Sequence, residues 1–162
     1  MRARLLEGRA IGEAVRATLV PLAAQRAREL GHAPGLAIVH VGADRASLVY
    51  SRRLVQLAAG IGVSARVVDL PTAIDDAGLA AALLALNAEP MVQGILMELP
   101  LPAHLSQRTV AESLDAAKDV DGISIASSGS LFLRQPTYVP STCAAIIEMR
   151  PGRRGAAPED YR

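Results

Sequence analysis

The sequence predicts a single α/β domain with three layers, in which a mostly parallel sheet lies between helices. Short apolar segments bounded by glycine or proline alternate with longer segments of helical periodicity, and this alternation indicates parallel strands joined by crossover helices. The chain has 162 residues, 51% of them hydrophobic, which is enough to bury one core. Its net charge of +1 gives no driving force toward nucleic acid or a membrane surface, and neither partner is expected.

The individual elements are read from periodicity and from the residues that end them. An amphipathic pattern predicts a first helix over Ile11–Leu30, and a glycine-bounded apolar segment predicts a strand over Gly35–Gly42. The other predicted elements are helices over Ala46–Ala59 with Asp44 as N-cap, from Pro71 to Leu86, over Gln107–Leu114 and over Thr142–Met149, and strands over Val63–Leu70 and Met91–Leu99. Residues 1–150 are therefore expected to form the domain, and residues 151–162 a charged Pro/Gly tail.

Three residues are expected at the carboxyl ends of predicted strands, where ligands bind to open α/β sheets. They are Gly42, Glu98 and Asp121. Glu98 ends an apolar strand, which is a costly position for a carboxylate unless solvent, a partner or a chemical role accompanies it. This edge of the sheet is the first candidate for a site.

The composition disfavours several other classes of site. The single cysteine, Cys143, is expected to be a buried, inert thiol, and three histidines far apart in sequence predict no metal site. Few cysteines favour a reducing, cytoplasmic location. No apolar run approaches the roughly 20 residues of a membrane helix. Gly60–Ala65 has the letters of a dinucleotide fingerprint, but it follows a predicted helix instead of a strand, so we expect no NAD(P) site.

The basic residues are nearly all arginine. Of the 17 Lys and Arg residues, only Lys118 is a lysine. Arginine stays protonated in proteins and cannot accept a proton. Any mechanism that needs a lysine base therefore has one candidate in this sequence.

Three segments carry a resemblance to a known family. They are Val41–Tyr50 (VGADRASLVY), Gly94–Pro102 (GILMELPLP) and Lys118–Gly122 (KDVDG), in this order and spacing. Together they closely resemble the folate-binding catalytic domain of bifunctional methylenetetrahydrofolate dehydrogenase/methenyltetrahydrofolate cyclohydrolase. The resemblance runs to about residue 150. It implies a tetrahydrofolate derivative as substrate and a homodimer as the assembly.

The resemblance also implies which residues line the folate pocket. Tyr50 matches the family tyrosine, Asp121 matches the aspartate that grips the pterin ring, and Pro100 belongs to the strand end that is the most specific part of the match. These residues are expected to bind substrate.

Two family groups that handle the chemistry differ in this sequence. The lysine that follows the tyrosine by one helical turn is Leu54 here; Arg53 beside it could hold an anion but could not act as a base. The glutamine of the family strand end, Gln-Leu-Pro-Leu-Pro, is Glu98. The ordinary cyclohydrolase mechanism therefore lacks its proton-handling lysine, and a carboxylate stands where an amide is expected.

The family enzymes continue into a nicotinamide-binding domain of on the order of 100 residues, and this sequence ends before it. We therefore expect no autonomous dehydrogenation. The favoured hypothesis is that Glu98 catalyses redox-free hydrolysis or transfer of the one-carbon unit of 5,10-methylenetetrahydrofolate, with hydrolysis releasing tetrahydrofolate and formaldehyde. Two alternatives stay open: a non-catalytic folate-binding subunit or sensor, and a split dehydrogenase/cyclohydrolase that needs a separate nucleotide-binding subunit for NADP.

Overall fold

The computed structural model describes residues 8–42, 45–135 and 138–149. Within these ranges, three parallel strands form a sheet in the order β2–β1–β3, with β1 at Gly35–Val41, β2 at Ser64–Leu70 and β3 at Gly94–Met97. The parallel α/β domain predicted from the sequence is confirmed. The expected N-cap Asp44 and the expected tail at 151–162 lie outside the described residues.

Six helices accompany the sheet in the described ranges. They are α1 (Gly8–Leu30), α2 (Arg45–Ala59), α3 (Asp76–Ala88), α4 (Gln107–Ser113), α5 (Ile125–Phe132) and α6 (Ser141–Glu148). Helix α3 begins later than predicted because the Asp75 side chain caps it by accepting a hydrogen bond from Gly78 N. Helix α5 was not predicted, since its serines and its glycine are typical of a loop.

The central strand separates two packed layers. Ala37 and Val39 of β1 are buried together with Leu79 and Leu83 of α3, while Ile38, which points to the other face, is also fully buried. The chain steps outward from β1 to β2 and back across β1 to β3, so right-handed crossovers place α2 and α3 on opposite faces. This arrangement is the predicted three-layer order.

A fourth segment extends the sheet beside β3. Asp119 forms a parallel bridge with Ile95, and Ile95 N donates to Lys118 O at 2.6 Å. A Cβ at Gly94 would lie 2.6 Å from Val120 Cγ1, so this glycine permits the close approach. The bridge directs the residues that follow Val120 to the carboxyl edge of the sheet, where β1 and β3 also end.

Strand β3 is shorter than predicted, since the apolar pattern over Met91–Leu99 extends beyond the residues that pair. The chain is still in a turn at Val92, whose N–H donates to Glu89 O at 3.2 Å. At the other end, Glu98 N donates to Val39 O at 2.9 Å and continues the ladder by one bond before Leu99 and Pro100 end it.

Asp119 is a fully buried carboxylate that organises the start of α5. It accepts hydrogen bonds from Ile123 N at 3.1 Å and Ser124 N at 2.8 Å, and Ser124 is the N-cap of α5. Burial by itself raises the pKa of Asp119, but the hydrogen bonds from Ser124, Ser127 and Ile123 together outweigh burial and hold this pKa below its ordinary value. The carboxylate is therefore held in its ionised form.

We predict that Asp119→Asn lowers the free energy of unfolding at pH 7 by about 2–3 kcal/mol, because an amide replaces one of the charged acceptor oxygens. Since the pKa of Asp119 is lower in the folded state, its stabilisation is present above the unfolded value of about 3.9 and is lost as pH falls through the folded value. Urea unfolding at a series of pH values should show the difference between the two proteins narrowing below about pH 4. Equal stabilities at pH 7 would contradict this assignment.

Candidate functional site

Glu98 lies at the carboxyl end of β3, on the face of the sheet that α2 covers. Met97 packs into the core formed with α3, so the next side chain points to the opposite face. There the Ser51 hydroxyl of α2 lies 2.5 Å from Glu98 Oε1. Within the described residues Glu98 forms no ion pair. Its carboxyl group is thus held by a neutral hydroxyl and not by a cation in this part of the chain.

The hydrogen bond to Ser51 brings one side of α2 over the end of β3. Ser51 has no exposed surface, whereas the preceding residue, Tyr50, is 55% exposed at the rim. Leu54 lies one turn after Tyr50, and residues four apart share a helix face; it is half-buried, and Arg53 is exposed. The predicted substrate-binding residues of α2 therefore flank the residue that contacts Glu98.

Asp121 follows the segment that bridges to β3 and connects it to α6. Its Oδ1 accepts a hydrogen bond from Ser141 N, at the start of α6, at 3.0 Å. Gly122 next to it has φ +67°, and a Cβ there would lie 3.1 Å from Tyr138 O, so a glycine is required for this turn. Asp121 is half-buried. It lies at the carboxyl edge of the sheet and accepts a hydrogen bond from the N-terminus of α6.

Pro100 lies two residues beyond Glu98 and is exposed, and the Leu99–Pro100 peptide bond is cis. Gly42, the third residue expected at this edge, directly follows β1 with φ +97°. The expectation that Gly42, Glu98 and Asp121 share one edge of the sheet is confirmed, because the strands before them run parallel.

A buried histidine lies on the same face as Glu98. His40 is 3% exposed, and its Nδ1 lies 3.4 Å from Asp69 Oδ1 of β2 without a hydrogen bond in the described part of the chain. The register places His40 between Asp69 on one side and Glu98 on the other. The strand position expected for His40 is confirmed.

Lys118 does not serve as a base at this edge. Its Nζ donates to Leu86 O at 3.2 Å and to Glu89 O at 2.8 Å, at the end of α3 and ahead of β3. The lysine therefore stabilises a helix C-terminus near the amino end of the sheet, away from Glu98. The only lysine of the sequence is thus bonded to backbone carbonyls of Leu86 and Glu89, and the structure does not place it beside Glu98.

Comparison with known proteins identifies the fold as that of a folate enzyme domain. Residues 6–121 match the family model described as "Tetrahydrofolate dehydrogenase/cyclohydrolase, catalytic domain". The chain belongs to this family. A "Bifunctional protein FolD" of Acidiphilium cryptum is 39% identical over 162 residues, which is all of this chain and 56% of the relative. One of Polaromonas is 41% identical over 150 residues, or 92% and 53%.

Solved structures of dehydrogenase/cyclohydrolase family members have a similar fold to this chain. A 5,10-methylenetetrahydrofolate dehydrogenase from the silkworm Bombyx mori superposes with a TM-score of 0.85 at 33% identity, covering 91% of this chain and 51% of that one. The Trypanosoma brucei dehydrogenase-cyclohydrolase, complexed with NADP cofactor and inhibitor, gives 0.83 at 29% identity, covering 92% and 52%. The chain spans about half the length of the curated relatives it matches.

Sequence reasoning on this family member missed Ser51, although a signal for it exists. Among residues 47–59 of α2, whose burial is described, Ser51 and Ala58 are the buried positions, and they are seven residues apart, the spacing of one helix face. A serine on a buried stripe needs a partner, and the carboxylate at the end of β3 is that partner. The signal was therefore a serine, Ser51, on the same helix face as the apolar residue Ala58.

The remaining expectations from the sequence concern Cys143, the turn at Gly60–Gly62, membrane helices, the assembly, the location and bound groups. Cys143 is exposed on α6, so the expectation of a buried thiol is wrong; α6 buries none of its residues completely. Gly60–Gly62 forms the turn between α2 and β2, as expected for a helix end. In the described ranges, no helix is both long and apolar enough to cross a bilayer. The homodimer, the cytoplasmic location and the absence of metal and NAD(P) stay predictions.

Proposed function

We propose that this chain binds 5,10-methylenetetrahydrofolate and hydrolyses or transfers its one-carbon unit without a redox step. The observation that carries the proposal is the carboxylate of Glu98, which lies at the strand end beside α2, has a neutral hydrogen-bond donor and has no cationic partner among the described residues. A negative charge so placed stabilises a positive charge that develops on a bound molecule.

The chemistry begins with opening of the five-membered ring of the substrate. The bond from N10 to the bridging carbon breaks as N10 takes up a proton, and the carbon stays on N5 as a cationic iminium. Glu98 stabilises this cation, and its carboxylate is fixed in advance by Ser51, so little reorganisation is needed. An amide at this position would carry no net charge and would stabilise the cation less.

Hydrolysis then needs a base for water. As the water oxygen bonds to the iminium carbon, Glu98 accepts one of its protons, which gives a carbinolamine on N5. The bond between N5 and carbon breaks next: Glu98 returns its proton to N5, and the hydroxyl of the carbinolamine gives its proton to solvent, replacing the one that N10 took up. The hydroxyl oxygen becomes the carbonyl oxygen of the formaldehyde that leaves. The sum is methylenetetrahydrofolate plus water giving tetrahydrofolate plus formaldehyde, with Glu98 regenerated.

Substrate recognition is assigned to the residues around Glu98. Tyr50 offers an exposed ring at the rim of α2, suited to stacking against a pterin. Asp121 accepts hydrogen bonds from pterin N–H groups with the oxygen that Ser141 leaves unused. Leu54 and Pro100 supply apolar contact, and Arg53 is placed to bind the negatively charged tail of a folate.

No step of the proposal uses a nicotinamide cofactor. The glycine segment closest to a nucleotide fingerprint joins a helix to a strand, whereas the fingerprint joins a strand to a helix. This segment therefore lacks the context of the fingerprint, and the absence of an NAD(P) site stays a prediction. The two rival functions, a binding-only subunit and a split dehydrogenase, become distinguishable outcomes of the first experiment below.

We predict that the purified chain accelerates formaldehyde release from methylenetetrahydrofolate without NADP, and that Glu98→Gln lowers this acceleration roughly 10²-fold, the usual loss on removing a general base. Formaldehyde and tetrahydrofolate are measured against buffer. Glu112→Gln, on the exposed side of α4, is the matched control and should behave as wild type.

Three results of this experiment would reject the proposal. Release at the buffer rate together with tight folate binding would indicate a non-catalytic subunit. Activity that appears only with NADP and a nucleotide-binding partner would indicate a split dehydrogenase. Equal rates for wild type and Glu98→Gln would remove the assigned role of Glu98.

We further predict that the double variant Leu54→Lys/Glu98→Gln gains hydrolysis of methenyltetrahydrofolate, by roughly 10²-fold over the wild type, because it supplies a proton-handling amine one turn from Tyr50. The measurement is the loss of the methenyl absorbance. Leu54→Met/Glu98→Gln is the control, since methionine has similar volume and no amine. No gain in the lysine variant would mean that position 54 does not face the substrate.

A further inference from the structure

The Ser51 hydroxyl has two acceptors within reach and one proton to give. Its Oγ lies 2.9 Å from the Ser47 carbonyl oxygen and 2.5 Å from Glu98 Oε1. A hydroxyl donates one hydrogen bond and accepts up to two, so Ser51 cannot donate to both oxygens at once. Because Ser51 has no exposed surface, bulk water does not supply the missing partner.

Two proton arrangements satisfy this geometry. If Glu98 is ionised, Ser51 donates to Oε1. If Glu98 is protonated, its O–H donates to Ser51 Oγ, and the Ser51 hydroxyl rotates to donate to the Ser47 carbonyl, which has a second lone pair besides the one used by the helix. Ser51 Oγ and Glu98 Oε1 stay hydrogen-bonded to each other in both arrangements, so the buried serine hydroxyl is not left unpaired in either protonation state of Glu98.

We propose that Ser51 is a positioning residue that keeps Glu98 in one place in both of its protonation states. The inference rests on the proposed function, in which Glu98 takes a proton from water and later returns it. A base anchored by a fixed donor, such as a backbone N–H, would lose its anchor when protonated. The serine hydroxyl reverses its direction instead, and the carboxyl does not have to move between steps.

A purely structural reading of Ser51 accounts for only half of this geometry. Serines within helices often bond the carbonyl four residues before them, which explains the contact with Ser47. This local bonding pattern does not explain why Glu98 Oε1, 47 residues further along the chain, lies 2.5 Å from the Ser51 hydroxyl. The short distance is typical of a charge-assisted O–H···O bond.

Other charged groups near Glu98 define the controls. His40 lies beside it in register on the same face, with Asp69 beyond His40 on β2, and Arg52 and Arg53 are exposed on α2. A change caused by Ser51 must therefore persist in a His40→Leu background, in which the neighbouring titratable ring is gone.

The test is a double-mutant cycle on formaldehyde release from methylenetetrahydrofolate, with Ser51→Ala and Glu98→Gln. We expect Ser51→Ala to lower kcat about tenfold when Glu98 is present, to change KM little, and to have less than about a twofold effect when residue 98 is glutamine. Ser51→Thr, which keeps the hydroxyl, should recover most of the rate. An equal loss in both backgrounds would show that Ser51 acts only on the fold and would overturn the proposal.

A second readout does not depend on turnover. The infrared carboxyl band of Glu98 is identified as the band that is missing in Glu98→Gln, and at acid pH we expect it to shift to higher frequency in Ser51→Ala, because the O–H has lost its acceptor. An unshifted band would overturn the pairing. A shifted band in a protein that releases no formaldehyde would support the pairing and overturn the proposed function.

Discussion

A carboxylate that ends a buried strand needs a hydrogen-bond donor, and α2 supplies it with the hydroxyl of Ser51. This bond joins residues 47 positions apart at 2.5 Å. It ties the helix that carries Tyr50 and Leu54 to the carboxyl end of β3. The candidate site depends on this contact, because a neutral hydroxyl holds the carboxyl group in place. A lysine or arginine partner would compensate the negative charge that the proposed chemistry requires.

The segment that follows α4 and bridges to β3 at Asp119 forms the other side of the same edge. Its two aspartates both accept hydrogen bonds from backbone N–H groups further along the chain: Asp119 from the start of α5, and Asp121 from the start of α6. A short charged stretch thereby sets the positions of two helices. The buried Asp119 serves the fold, which leaves the half-buried Asp121 as the carboxylate that a ligand can reach.

The order of strands and helices could be predicted because hydrophobic periodicity and glycine boundaries are local features of the sequence. Glu98 was also predictable as a site residue, since a carboxylate directly after the apolar stretch of β3 stands out by itself. Helix α5 was not predictable, because its start depends on the capping hydroxyl of Ser124 and on buried Asp119. Its own residues favour a loop.

The contacts of Ser51 and Lys118 could not be predicted either, because their partners are distant in sequence. The spacing of Ser51 and Ala58 marks a helix face, but the sequence does not show that the partner of Ser51 on that face is Glu98. Lys118 was the only possible lysine base by composition, and only the folded chain places its ammonium on the carbonyls that end α3. Local pattern therefore identifies the strand end and the resemblance identifies the family, while pairings between distant elements require the three-dimensional structure.

The central claim is that a folate lies with its one-carbon bridge facing Glu98. A crystal structure of the chain with a tetrahydrofolate analogue whose bridge cannot react tests it most directly. The account predicts the pterin between Tyr50 and Asp121, with a Glu98 carboxyl oxygen within contact distance of the bridging carbon and the Ser51 hydrogen bond intact. A ligand bound elsewhere, or a Glu98 side chain rotated away from it, would contradict the account.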